Sequence, residues 1–241
     1  MTLALSDLKF LLWSVLLLSS YTIVAQEVEE DIIVEYKIID RFESPIPSIN
    51  YLTETAFGLR KGEIYYQNIL LFGQKFGIGI SDHFSINTGF ELYSMFDGRA
   101  PSILIAPKFT FNEREAPVKF GVGSNFVLVS TSGSNQVAGS FYGLATFGNT
   151  DNHLTLGVGM GYDSYGLYGV PVFQVSGQLR LSDHFALVLD TLTLYYDSDY
   201  GSANSFFFRY MNKDFIIDLG GLVSLTGPEA IPLANFAVRL N

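Results

Sequence analysis

The feature that most constrains this chain is a period-two alternation of apolar and small polar residues that recurs in hairpin after hairpin. Between Tyr65 and Phe96 the sequence runs YYQNILLFGQKFGIGISDHFSINTGFELYSMF. From Phe84 onward, Phe84, Ile86, Thr88, Phe90 and Leu92 share one face, and Ser85, Asn87, Gly89, Glu91 and Tyr93 share the other. A period of two places alternate side chains on opposite faces of a strand. The stretch therefore reads as two long strands, Ile64 to Ile80 and Phe84 to Phe96, joined by a tight turn at Ser81-Asp82-His83.

The same pattern continues in strand candidates from Ile103 to Phe111, Val118 to Val129, Gln136 to Phe147, Leu154 to Tyr162, Pro171 to Leu181, Phe185 to Tyr196, Ser205 to Met211, Phe215 to Leu225 and Leu233 to Leu240. With the first two, that is eleven. The turns fall into two alternating sets. One is short and rich in Asp, Asn and His: Ser81-Asp82-His83, Asn112 to Pro117, Asn149 to His153, Ser182-Asp183-His184 and Asn212-Lys213-Asp214. The other, at Asp97 to Pro101, Ser130 to Asn135, Asp163 to Gly169, Asp197 to Asn204 and Thr226 to Ile231, is richer in Gly, Pro and Tyr. Alternating turn chemistry is what the two ends of an up-and-down barrel produce. Single-chain bacterial outer-membrane barrels have even strand numbers with short turns on the periplasmic side. Parity therefore asks for one more strand, and Tyr51 to Leu59 is the best candidate. The expected fold is all-β, a closed antiparallel up-and-down transmembrane β-barrel of about twelve strands, with ten also compatible.

Residues 1–25 differ from everything after them. Lys9 precedes the apolar run Phe10 to Leu18, and Ile23-Val24-Ala25 leads to Gln26, as in a cleavable secretory signal; the run is short for a bilayer span. Residues 26–50 form an acidic segment, with seven carboxylates against Lys37 and Arg41, punctuated by Pro45 and Pro47. It reads as a periplasmic lead-in to a barrel domain over 51–241. The formal charge of -10 repels nucleic acid. Only 16% of the residues are charged while 15% are aromatic, a balance that suits a lipid boundary better than a solvated sheet. There is no Cys, hence no lipidated cysteine, disulfide framework or thiolate metal site.

Each strand has an apolar face, such as Leu154, Leu156, Val158 and Met160, and an opposite face of Gly, Ser, Asn and Gln, such as Gly157, Gly159 and Gly161. A soluble ligand-binding barrel would turn the apolar face inward. Because the other face is small and polar rather than rich in Lys and Glu, the apolar face is assigned to lipid and the polar face to the lumen. Tyr65, Tyr66, Tyr93, Phe96, Tyr162, Tyr195, Tyr196 and Tyr210 become candidates for interface girdles. The lumen then receives Lys75, Lys108, Lys119, Arg180, Arg209 and Arg239 as cations and Glu91, Asp163, Asp190 and Asp218 as anions. Two readings of these charges stand: a charged constriction that selects small solutes or ions, or a polar network that satisfies buried groups.

Catalytic chemistry has little to stand on. His83, His153 and His184 all sit at tight turns beside Asp or Asn, where turn geometry accounts for them. Gly157, Gly159 and Gly161 alternate within a strand with no helix following, unlike a phosphate cradle. No catalytic, cofactor-binding or metal-binding residue is assigned, and no cofactor is expected.

Lys61-Gly62-Glu63 followed by Tyr65-Tyr66-Gln67-Asn68, then Gly79-Ile80-Ser81-Asp82-His83-Phe84-Ser85-Ile86, and Ala145-Thr146-Phe147-Gly148 before Leu154-Thr155-Leu156-Gly157, resemble a family of small uncharacterised outer-membrane β-barrel proteins of Gram-negative bacteria. The resemblance covers about Pro45 to the end. It implies a barrel fold in the outer membrane, with membrane lipid and the outer-membrane assembly machinery as partners, and transfers no activity. That machinery often reads a terminal aromatic residue, whereas this chain ends Phe236-Ala237-Val238-Arg239-Leu240-Asn241; Phe236 is the nearest substitute. The expected function is a non-enzymatic barrel, structural or a narrow pore for small solutes or ions. The alternatives are a soluble periplasmic barrel holding a hydrophobic ligand and a lipid-modifying outer-membrane enzyme.

Overall fold

The computed structural model describes residues 42–131, 134–196, 199–224 and 230–241. The expected signal over 1–25 and the acidic residues up to Asp40 lie outside the described residues. From residue 64 onward the chain forms β1 (Ile64–Ile69), β2 (Gly73–Gly79), β3 (Phe84–Glu91), a short helix α1 (Tyr93–Phe96), β4 (Ile103–Thr110), β5 (Val118–Thr131), β6 (Ser134–Gly148), β7 (His153–Asp163), β8 (Gly166–Arg180), β9 (Phe185–Tyr196), β10 (Asp199–Met211), β11 (Phe215–Ser224) and β12 (Ala230–Arg239). Every strand pairs antiparallel with its sequence neighbours, and β1 closes onto β12. The fold is a closed twelve-strand up-and-down barrel.

The strand number matches the expectation, but the twelve strands are not the twelve expected. The stretch Ile64 to Ile80 is a hairpin, β1 and β2, turned by Leu70-Leu71-Phe72. Leu70 and Leu71 have φ of 53° and 66°, a left-handed region that costs a non-glycine residue about 1–2 kcal/mol. Asn68 holds the turn by accepting the Leu71 amide at 3.0 Å, and the Gln74 amide donates to the Leu71 carbonyl at 2.9 Å. The turn escaped sequence reasoning because it is built of apolar residues where Gly or Asn normally announces positive φ. The second difference is Tyr51 to Leu59. It is not a wall strand; it lies inside the barrel.

Where they are described, the two sets of turns occupy opposite ends, although Asp199 to Asn204 of one expected turn belong to β10 and residues 225–229, which hold most of the turn expected from Thr226 to Ile231, lie outside the described residues. The short-turn end joins β2 to β3, β4 to β5, β6 to β7, β8 to β9 and β10 to β11, and the seam closes there too: the Leu240 amide donates to the Ile64 carbonyl at 2.9 Å, and the Asn241 side chain takes the Ile64 amide at 2.8 Å and donates to the Gly62 carbonyl at 2.6 Å. Two of these turns are built alike. In Ser81-Asp82-His83-Phe84 and Ser182-Asp183-His184-Phe185 the serine hydroxyl accepts the Phe amide, at 3.1 and 3.2 Å. The His ring contacts a carbonyl at the end of the adjoining strand, Thr110 at 3.0 Å and Met211 at 3.1 Å. Both histidines thus lock turns.

The alternation resolves as expected between the two faces. Leu154, Leu156, Val158, Phe173, Leu179, Phe208 and Leu219 are exposed outward, while Thr155, Ser176, Gln178, Arg209, Asp218 and Asn235 are buried inward. Tyr65 is an exception among the girdle candidates. It is fully buried and donates to Asn87 at 2.9 Å inside the barrel. The wall is uneven in height: β1 to β4 have six to eight residues, against the roughly nine to eleven that a tilted strand needs to cross a bilayer. On that low side the exposed Leu70, Leu71, Phe72, Tyr93, Met95 and Phe96 of the β1–β2 turn and α1 continue the apolar surface.

Candidate functional site: a polar plug inside the barrel

Residues 42–60 enter the lumen from the short-turn end, reach to about its middle and return. The segment turns on itself through an isolated bridge between Ile49 and Glu54, with the Asn50 amide donating to the Thr53 carbonyl at 3.0 Å and the Thr55 amide to the Ser48 carbonyl at 3.1 Å. Both ends are tied at the rim. Arg180 donates to the Phe42 carbonyl at 2.6 Å, Asp151 accepts the Ser44 amide at 3.2 Å, and Asp82 accepts the Lys61 amide at 2.9 Å. Residues 42–50 are therefore not an external lead-in. Proline punctuation and short polar side chains keep the segment from pairing as a strand, and its free backbone groups, buried away from water, must be met by side chains.

The wall supplies them. Asp190 of β9 accepts the Tyr51 and Leu52 amides at 2.9 and 3.3 Å and the Thr53 hydroxyl at 2.5 Å. Thr146 of β6 accepts the Ala56 amide at 2.8 Å, Lys108 of β4 donates to the Ser48 and Thr55 carbonyls at 3.2 and 3.0 Å, and Gln174 of β8 donates to the Glu54 carbonyl at 2.8 Å. Asn50 donates to Ser176 at 2.8 Å and contacts the His153 ring at 3.1 Å. Phe57 lies under Lys119 of β5, 4.6 Å from its ring centroid. Ile46, Ile49 and Leu59 cluster with Tyr65, Ala186, Met211, Ile216 and Ala237. Asn50, Ala56 and Phe57 are completely buried, so no water path runs beside them.

Glu54, at the inner tip of the plug, is the hub that the sequence reading missed. Lys75 and Lys108 each approach its carboxylate at 3.3 Å, Asn87 donates at 2.8 Å and Tyr142 at 3.1 Å. Burial alone would raise its pKa. The two lysines and the Asn87 amide outweigh that and hold it at about 2, below its ordinary 4.5. A depressed carboxyl stabilises the fold above its unfolded pKa and loses that contribution as pH falls through the folded one. The barrel should therefore lose on the order of 3 kcal/mol between pH 4.5 and pH 2 through this group. Thermal unfolding of wild type and Glu54→Gln across that range checks it: the wild-type midpoint should fall more steeply, and parallel curves would remove Glu54 as the cause.

A second network sits beside the first. Arg209 of β10 grips Asp218 of β11 with two hydrogen bonds, 2.7 and 2.9 Å, both side chains being fully buried. It also donates to Gln178 at 2.8 Å and to the Asn50 carbonyl at 3.2 Å, and Asn235 donates to Asp218 at 2.8 Å. Tyr51 stacks on Phe207 with ring centroids 4.0 Å apart; burial, then Asp218 and Asp190, pushes its phenol up to about 12.

The ten charges expected in the lumen divide accordingly. Lys75, Lys108, Asp190, Arg209 and Asp218 meet around the plug. Lys119 and Arg180 are buried at the short-turn end, Lys119 bonded to the Ala116 and Gly148 carbonyls and Arg180 paired with Asp151 at 2.6 Å. Glu91, Asp163 and Arg239 belong to the rims. Glu91 accepts the Ser94 and Ser102 amides, both at 2.9 Å, beside α1; Asp163 bonds Tyr165 and Tyr168 in the β7–β8 turn; Arg239 reaches the Lys213 carbonyl at 2.9 Å. Alternation gave a side for each of the ten but not a depth, and Glu91, Asp163 and Arg239 do not line the lumen.

Among the described residues, no histidine ring bonds a Ser, Asp or Glu side chain, and no cluster of three or more His, Asp or Glu residues could hold a metal ion. No protein-family model, curated protein or solved structure matches this chain.

Proposed function

We propose that this chain is a non-enzymatic outer-membrane barrel of a Gram-negative bacterium, of the small barrel family it resembles, and that it rests closed because its own residues 42–60 occupy the lumen. The observation that carries the reading is the pairing of an apolar exterior with a charged interior. Exposed Leu, Val, Ile and Phe side chains run round the wall, whereas soluble monomers rarely show a contiguous apolar patch above a few hundred Å². The fully buried side chains Arg209, Lys108, Lys119, Gln67 and Asn50 line the inside. That is the reverse of a soluble barrel wrapped around a greasy ligand. On the low side, the apolar β1–β2 turn and α1 make up the height that β1 to β4 lack. Of the two readings of the inward charges, the polar network is the better supported, since these groups are bonded to the plug.

The test begins with migration on a detergent gel. Protein from carbonate-washed outer membranes should run as a compact band when unheated and shift on boiling. Val158, in the middle of β7 and 52% exposed, faces the bilayer in this reading. Val158→Arg should destabilise the folded barrel by roughly 2–4 kcal/mol in lipid, where a water-exposed site would change by about 0.5 kcal/mol or less. Recovery of the protein in the soluble periplasm, or an indifferent Val158→Arg, would overturn the proposal.

A further inference from the structure

Above the plug, toward the long-turn end, the barrel keeps a chamber of about 450 Å³, within the range of small-molecule sites, roughly 300–1,000 Å³. Its floor is Leu52, Thr53 and Glu54, with Lys75 beside them. Its walls change character from the layer below: Leu104, Val127, Val170, Val172 and Leu192 face inward where the plug level has Asn, Gln, Arg and Asp. The room comes from glycines. Gly157, Gly159 and Gly161 of β7 face this chamber, and a Cβ on Gly157 would come within 2.4 Å of the Gln174 side chain.

The floor also carries an uneven charge. Two ammonium groups, Lys75 and Lys108, share the one carboxylate of Glu54. Lys108 fills its donors with Glu54 and the Ser48 and Thr55 carbonyls. Lys75 has Glu54 alone as hydrogen-bond partner among the described residues, so two of its three donors remain for another group. A space walled largely by apolar side chains, with one surplus cation at its base, selects an anion that carries an apolar tail.

We propose that this chamber binds a single-chain anionic amphiphile, a long-chain carboxylate in its simplest form, with the head group on the Lys75 ammonium and the tail against Leu104, Val127, Val170, Val172 and Leu192. The proposal goes beyond the closed membrane barrel and rests on it only in that the protein is assayed in a bilayer.

The experiment is a calorimetric titration of the full chain in zwitterionic lipid nanodiscs with decanoate, decanol and decylammonium, using empty nanodiscs as the blank. Decanoate should bind one equivalent, at least about tenfold more tightly than the other two. Lys75→Met should weaken decanoate by about tenfold or more and leave decanol unchanged, because Glu54 keeps Lys108. Val172→Trp should abolish binding by filling the chamber. Absence of decanoate binding above the blank, equal binding of all three heads, or retention of full decanoate affinity by either variant overturns the site. Each variant is first checked for the heat-shifted band. Loss of that band in wild type would overturn the membrane reading, whereas its presence with no decanoate binding overturns the chamber alone.

Discussion

Replacing residues 45–57 by a short Gly/Ser linker should turn a silent barrel into a conducting one. In planar bilayers wild type is expected to show no steady steps, because Asn50, Ala56 and Phe57 of the plug are completely buried and the segment is tied to several strands of the wall by hydrogen bonds. Removing it opens a twelve-strand lumen, a size intermediate between barrels filled by side chains and wide porins. The charges left behind set the sign of selectivity. Among the described residues, Lys75, Lys108, Lys119, Arg114, Arg180 and Arg209 remain against Glu63, Asp151, Asp190 and Asp218, six cations to four anions, so the opened pore should prefer anions. Reversal potentials in a salt gradient measure this. Steady wild-type conductance equal to that of the deletion would mean that the plug does not close the lumen. A deletion that inserts with a heat-shifted band and stays silent would mean that something else closes it.

That plug also marks the limit of what the sequence made legible. The wall was legible because its outer and inner faces impose opposite demands on alternate residues, so each strand wrote its own orientation: Ser176, Gln178 and Arg180 inward, Val175, Leu179 and Leu181 outward. The alternating turn sets were legible for the same reason. What failed were two places where local pattern and environment part company. Leu70-Leu71-Phe72 turns the chain with apolar residues on the low, apolar side of the wall, so it read as strand. Tyr51 to Leu59 offered mixed apolar and polar residues at the right length for a strand, and parity invited it into the wall. The one available signal against that choice was Pro45 and Pro47 just before it, followed by Thr53-Glu54-Thr55, where a carboxylate interrupts the segment. Glu54 gains its role only from Lys75, Lys108, Asn87 and Tyr142, which lie between 21 and 88 residues away. No local spacing records that convergence.

The Arg209–Asp218 pair should show the largest effect of a single truncation. Asp218→Ala leaves a fully buried guanidinium without its bidentate partner and also strips Asn235 of its acceptor. Breaking a buried pair in this way costs about 3–5 kcal/mol, and the lowered midpoint should be read from temperature-dependent loss of the compact gel band and from urea unfolding into lipid vesicles. The double variant Arg209→Met with Asp218→Leu separates the charge from the packing. It removes the stranded cation, since apolar replacement of both members of a buried pair is often near neutral. It still leaves Asn235 without its acceptor, as Asp218→Ala does, and Gln178 and the Asn50 carbonyl without the donor that Arg209 supplied, each a loss of about 1–3 kcal/mol where the group stays buried and unmet. The double variant should therefore be less destabilised than Asp218→Ala by itself. Equal or greater damage in the double would show that Arg209 matters chiefly as the wall's grip on Asn50 and the plug, and that variant should then leak ions in the same bilayer assay as the deletion. A quiet, nearly wild-type double would instead place the grip in Asp190 and Glu54, which hold the inner tip from β9 and from the two lysines.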